Sequence, residues 1–195
     1  MAIKAIIFDC FGVLTNDGWL AFRNKYFFDN GKLLEEANEL NKLSDAGVIS
    51  LDTFISRISV MADVSEEVTK NSLKIHVRND KLIDYIKTEL KGEYKIGLLS
   101  NASSNFLDEV IGQDGVNLFD EIVLSYQVRV AKPDKLMYET IVQKLGLKYE
   151  ECLFIDDQPR YCEGARALGI KTIVYENNRQ LIDKLRHFLE VGTNA

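Results

Sequence analysis

The chain has 195 residues, enough for one domain or for one core with a small insertion, and 46% hydrophobic with 28% charged residues is an ordinary soluble globular balance. A formal charge of −6 and a pI near 5.1 exclude the basic face that a nucleic-acid surface needs, although a few local cations would suffice for a small anionic substrate. Cys10, Cys152 and Cys162 make an odd count without metal-type spacing, so neither a disulfide framework nor a zinc site is expected. Cys10 and Cys152 sit in or beside apolar runs, where a thiol serves as a small hydrophobe. The N-terminal run is broken by Asp9 and is no signal peptide, and no apolar segment reaches membrane-spanning length. The expectation is a reduced, soluble, cytoplasmic protein that engages neither nucleic acid nor membrane, as a monomer or a homodimer.

In chain order, Ile3 to Phe8 is an apolar run without polar alternation, the pattern of a strand buried on both faces. It ends at Asp9, and Gly12 follows as a turn residue. From Asp17 to about His76 helical spacing dominates. Trp19, Phe22, Tyr26 and Phe27 mark one helix, and Leu33, Leu34, Ala37, Leu40 and Leu43 a second that stops at Asp45-Ala46-Gly47. Ser50 opens a third, with Phe54, Ile55, Ile58 and Met61 on its apolar face. Ser65 opens a fourth, followed by two acids that suit a helix N-terminus. Beyond Asn79 the pattern alternates. Strands are expected at 94–99, 121–124, 152–155 and 171–175, and helices at 80–90, 105–111, 134–145, 163–168 and 179–189. Strands alternating with helices of these lengths imply βαβ units and a parallel sheet. The fold class is therefore α/β, a Rossmann-like parallel core carrying an inserted α-helical bundle.

Chemistry sits at the end of each buried strand. Asp9 ends the first, Ser100-Asn101 the second, Ser125 with Lys132 the third, and Asp156-Asp157 the fourth. Each has a plain explanation as a cap, a turn opener or a solvated lysine. A parallel sheet nevertheless gathers all these ends on one edge, where open α/β sheets bind their ligands. Carboxylates crowded there repel one another, and a hard divalent cation relieves the repulsion. Carboxylate and water ligands suit Mg²⁺, which pairs naturally with phosphate. Ser100 and the amides around Asn101 would hold phosphoryl oxygens, Lys132 would add positive charge, and Asp9 would attack phosphorus as the nucleophile.

These stretches resemble the haloacid dehalogenase-like hydrolase superfamily, in the branch with a helical cap inserted after the first strand. The matches are Phe8-Asp9-Cys10-Phe11-Gly12-Val13-Leu14, Leu98-Leu99-Ser100-Asn101, Ala131-Lys132-Pro133-Asp134 with Tyr138-Glu139, and Phe154-Ile155-Asp156-Asp157 leading to Ala165-Arg166-Ala167-Leu168-Gly169. The resemblance implies a core of residues 1–15 and 79–195 and a cap of residues 16–78 that closes over the site, hinged near Thr15-Asn16 and Arg78-Asn79. It implies Asp9 as nucleophile, Ser100 as phosphate-binding hydroxyl and Lys132 as bridging cation. Mg²⁺ would lie on Asp9, the Phe11 backbone carbonyl and Asp157, with Asp156 close by.

Two positions depart from the family's phosphatases. Phe11 stands where they carry a second Asp that moves the leaving-group proton, a service typically worth about two to four orders of magnitude in rate. Tyr161 stands where relatives often have Asn. The leading expectation is a Mg²⁺-dependent phosphatase of a small phosphorylated metabolite with a good leaving group, such as a sugar 1-phosphate. A non-catalytic phosphate-binding protein is one alternative. A metal-independent 2-haloacid dehalogenase is another, since such relatives also carry an aromatic residue at this position, but Asp156-Asp157 speaks against it. Within the cap, Arg23, Lys25, Tyr26, Arg57 and His76 are expected to be solvated surface residues, and neither His76 nor His187 is given a role.

Overall fold

The computed structural model describes residues 2–193. Five strands form one parallel sheet: β1 (Ala5–Phe8), β2 (Lys95–Ser100), β3 (Glu121–Leu124), β4 (Cys152–Asp156) and β5 (Lys171–Val174), in the order β3-β2-β1-β4-β5. β1 lies at the centre, and chain order reverses direction across it. The register pairs Phe8 with Leu98 on one side and Ile155 on the other. One residue further on, Asp9 comes level with Asp156, and the Asp9 N–H donates to the Ile155 carbonyl at 2.9 Å.

The sheet lacks polar alternation because helices cover both faces. Ile6, Phe8, Leu98 and Ile155 pack beneath α5 (Asp80–Tyr85), α6 (Leu107–Val116) and α10 (Asn178–Thr193). Ala5, Ile7, Leu99 and Phe154 pack beneath α8 (Lys135–Leu145) and α9 (Pro159–Arg166). Burying each such side chain contributes about 1.5–3 kcal/mol. α5 continues through a π-helical turn at Ile86–Leu90, so the expected helix from 80 to 90 is present with a wider last turn. α6 is interrupted at Gly112, whose φ of 72° no ordinary helical residue adopts. A four-residue helix, α7 (Ser125–Val128), was not expected from the sequence.

Between β1 and α5 lie four helices: α1 (Gly18–Phe27), α2 (Gly31–Asp45), α3 (Leu51–Ala62) and α4 (Glu66–Leu73). Asp17, Asn30, Ser50 and Ser65 cap their N-termini, each side chain accepting a backbone N–H three residues on. Phe22, Phe27, Ala37, Leu40, Phe54, Ile55 and Ile58 form a hydrophobic cluster of their own, separate from the two beside the sheet. Leu43, expected on the apolar face of α2, is exposed, and the buried residue beside it is Ser44. The segments entering and leaving these helices run side by side. Thr15 Oγ1 donates to the Val77 carbonyl at 3.2 Å, Asn16 Nδ2 to the Ile75 carbonyl at 2.9 Å, and the Asn79 N–H to the Leu14 carbonyl at 2.8 Å.

Because the helical cluster is separate, truncating its fully buried Phe27 to Ala should destabilise the protein by about 3–5 kcal/mol. Hydrogen exchange should then quicken first within Gly18–Leu73. Equal acceleration in the five strands would show that the two clusters open as one.

Candidate active site

The C-terminal edge of the sheet carries a buried ion cluster. The fully buried Lys132 ammonium lies 2.8 Å from Asp9 Oδ1 and 2.6 Å from Asp156 Oδ2. Burial alone would lower the Lys132 pKa, but Asp156 and Asp9 outweigh it and hold the ammonium above its ordinary range. Asp156 is fully engaged, since its Oδ1 also accepts the Gln158 N–H at 2.8 Å. Asp9 Oδ1 takes a second bond from the Cys10 N–H at 2.7 Å, and no donor among the described residues bonds Asp9 Oδ2. Asp157 projects beside them, with Gln158 Nε2 on its Oδ2 at 2.8 Å.

One ammonium does not balance three carboxylates. Asp9, Asp156 and Asp157 offer oxygens that all lie within 4.8 Å of one another. Burial, then the Asp156 charge, pushes Asp9 well above the usual carboxylate range against the pull of Lys132. The same two causes lift Asp157 to about 6. The residues fit a hard cation. The Phe11 carbonyl, beside the cluster, accepts no hydrogen bond among the described residues. Gly12, at φ +85°, leaves the room that Asp157 occupies, because a Cβ there would stand 2.5 Å from its carboxyl carbon.

The loop holding Lys132 is fixed by Asn101. Its Oδ1 accepts the Lys132 N–H at 2.7 Å and its Nδ2 donates to the Lys132 carbonyl at 3.3 Å. Nδ2 also reaches the Tyr161 hydroxyl at 3.3 Å, and that ring lies 5.0 Å from the ammonium. Tyr161, without a role from sequence, thus covers Lys132 and steadies Asn101. The N–H groups of Phe11 and Asn101 donate to nothing among the described residues. Cys10 is fully buried beside Asp9, and burial followed by the Asp9 charge pushes its thiol up, so it packs as expected.

A cavity of about 420 Å³ lies between this edge and the four helices. Of the site residues singled out from sequence, Asp9, Phe11, Asn101, Lys132, Asp157 and Tyr161 line it. Ser100 and Asp156 do not: both are fully buried, and Ser100 Oγ has only a long contact, 3.4 Å to the Asn101 carbonyl. The Phe11 ring packs against Phe106 at 4.7 Å and against His76 at 5.6 Å. Burial lowers the His76 pKa, favouring the neutral imidazole. Arg23 and His76 therefore face the cavity rather than bulk solvent, while Lys25, Tyr26 and Arg57 do not line it.

The helices add residues that sequence reasoning missed, above all Asp17, Ser44 and Asp45. Asp17 was hidden by its ordinary place as a helix cap, and Asp45 by its place in a helix stop. The signal for Asp45 was available. It is an acid at a helix C-terminus, where the unpaired carbonyls disfavour negative charge.

The chain belongs to the haloacid dehalogenase-like hydrolase family, whose model matches residues 3–169. Phosphatase MT3486 of Mycobacterium tuberculosis is 26% identical over 199 residues, covering 94% of this chain and 92% of its own. (S)-2-haloacid dehalogenase 2 of Pseudomonas sp. (strain CBS-3) is 22% identical over 202 residues, covering 94% and 88%. The family enzyme BT-2542 of Bacteroides thetaiotaomicron, solved in complex with magnesium and inorganic phosphate, shares the fold with a TM-score of 0.71 at 23% identity, covering 92% of this chain and 99% of that one. Among the described residues no helix is long and apolar enough to cross a membrane.

The raised carboxylates make stability depend on pH. An unfolded Asp titrates near about 3.9, whereas Asp157 is held at about 6 in the fold. The folded state then keeps protons that the unfolded state loses, so this contribution is fully present below the unfolded pKa and disappears as pH rises through the folded one. In chelator, the thermal midpoint should fall between about pH 4 and 7, and Asp157→Asn should flatten the fall. A midpoint that rises over that range would contradict the cluster's electrostatics.

Proposed function

We propose that the protein is a Mg²⁺-dependent phosphatase acting on a small phosphorylated metabolite through an aspartyl-phosphate on Asp9. The observation that carries this reading is the cluster of Asp9, Asp156 and Asp157 oxygens within 4.8 Å around a single buried ammonium. Asp9, Asp157 and the Phe11 carbonyl would hold the metal, with Asp156 alongside. The cation, when bound, supplies charge neutralisation for the phosphoryl oxygens.

The chain's own groups do the rest. Lys132 and the Cys10 N–H fix Asp9 through Oδ1, leaving its other oxygen free for phosphorus. In the first step the Asp9 oxygen bonds to phosphorus as the bond to the leaving oxygen breaks. In the second, water attacks phosphorus and releases phosphate with Asp9 restored. The unpaired N–H groups of Phe11 and Asn101, together with Lys132, would receive the phosphoryl oxygens. Ser100 is proposed to join them once substrate draws its hydroxyl from the Asn101 carbonyl. Residues 1–15 and 79–195 form the proposed core. Residues 16–78 form the proposed cap, which walls the cavity and selects the substrate.

Similarity to Phosphatase MT3486 supports phosphate chemistry, and BT-2542, which shares the fold and was solved with magnesium and inorganic phosphate, supports the pairing of the two. Two carboxylates beyond the nucleophile would repel a 2-haloacid, which itself carries a carboxylate, so dehalogenation is the weaker reading. Phosphate release from a panel of sugar 1-phosphates, sugar 6-phosphates, acyl phosphates and p-nitrophenyl phosphate should require Mg²⁺. It should fall by about three orders of magnitude or more in Asp9→Asn. Release that survives chelation or the substitution would overturn the proposal, halide release from 2-haloacids without metal would establish the dehalogenase, and metal binding without turnover would leave a binding protein.

A further inference from the structure

Phe11 cannot carry a proton, so the leaving oxygen needs one from another group facing the same cavity as Asp9. Two carboxylates of the helical segment face it, and helix ends set them apart. Burial raises both acids, but Asp17 is the N-cap of α1, and the Leu20 N–H donated to one of its oxygens at 3.0 Å draws it back toward the carboxylate. Asp45 is the last residue of α2, where the exposed carbonyls disfavour it. Of two neighbouring acids in one buried pocket, the one whose surroundings hold its proton more firmly is the candidate acid.

We propose that Asp45 is the general acid and base of this enzyme, delivered from the helical segment in place of the residue missing at Phe11. This rests on the phosphatase reading above. Asp45 Oδ2 is held by Asn41 Nδ2 at 2.9 Å, and no donor among the described residues bonds Oδ1. Its backbone is anchored to the sheet edge, because the Ser125 hydroxyl at the end of β3 bonds the Asp45 carbonyl while accepting the Ala102 N–H at 2.8 Å. Beside it Ser44 lines the same cavity with a buried Oγ that has no hydrogen-bond partner, a polar atom waiting for a hydroxyl of the substrate.

The charged and titratable groups facing Asp45 are Asp17 before α1, Lys132 in the loop after α7, and Arg160 and Tyr161 on α9. Burial, then the Asp17 charge, raises Asp45 to about 7, against the pull of Lys132 and Arg160. Near neutral pH both forms are populated, as a group serving in both directions requires. In the first step the Asp45 carboxyl gives its proton to the leaving oxygen as the phosphorus–oxygen bond breaks and the Asp9–phosphorus bond forms. In the second step the Asp45 carboxylate takes a proton from the attacking water as the Asp9–phosphorus bond breaks. Both residues return to their starting states.

The test is Asp45→Asn, which keeps the size and the bond from Asn41. Two esters are compared, an alkyl phosphate from the panel, whose alkoxide must be protonated, and p-nitrophenyl phosphate, whose phenolate leaves without a proton. The variant should lose about 10²- to 10⁴-fold in kcat/KM on the alkyl ester and far less on the aryl ester. It should also show a burst of p-nitrophenolate before slow turnover, because the second step has lost its base; the burst itself reports a folded site with Asp9 intact. In the wild type, kcat/KM on the alkyl ester should fall as pH rises through about 7, and the variant should lack that limb. Equal losses on both esters, or a change confined to KM, would overturn the proposal while leaving the phosphatase standing. A wild type that releases phosphate from neither ester would remove both.

Discussion

The structure depends on one contact set, the buried Lys132 ammonium held between Asp9 and Asp156. Removing one partner from a buried pair typically costs about 3–5 kcal/mol, because the other charge is left without compensation. The fold supplies that geometry before any ligand arrives. β1 and β4 are adjacent and in register, so Asp9 and Asp156 come level at the same sheet edge. β3 ends two places away, and the loop beyond it carries Lys132 back over both. Asn101, from the end of β2, then clamps that loop by its backbone N–H and carbonyl. Four strand ends therefore meet at one lysine.

The contact set is also incomplete in charge. Three carboxylates share one ammonium, and the excess appears as raised pKa values at Asp9 and Asp157. Gly12 tightens the crowding by leaving Asp157 room that a side chain would fill. A divalent cation on these oxygens would remove the excess and return Asp9 to the ionised form that a nucleophile needs. The aromatic neighbours serve the same end. Tyr161 and Phe154 lie 5.0 and 5.4 Å from the ammonium and exclude water from it.

The sheet side of this site was legible in the sequence because buried strands announce themselves as unbroken apolar runs, and in a parallel sheet the residues at the C-terminal ends of those runs share one edge. The helices between β1 and α5 were legible through their caps, with Ser50 and Ser65 placed as expected. The features that could not be read depend on contacts distant in sequence. Tyr161 has meaning only through Asn101 and Lys132. Arg23 and His76 look like surface residues until the helices fold back over the sheet edge. Asp17 and Asp45 each have a sufficient local explanation at a helix end, and only the cavity shows them facing each other. Ser100 and Asp156 show the converse, since a chemical residue at a strand end can lie buried beneath the cavity wall rather than line it.

The charge balance is tested most directly by calorimetric titration of the chelator-stripped protein with Mg²⁺ near pH 6, in buffers of different ionisation enthalpy. Three carboxylates around one ammonium predict saturable binding of one ion per chain that releases protons from the raised acids, weakened severely in Asp157→Asn. Absence of binding, or binding that neither releases protons nor responds to Asp157→Asn, would contradict the metal-centred site and the phosphatase chemistry built on it.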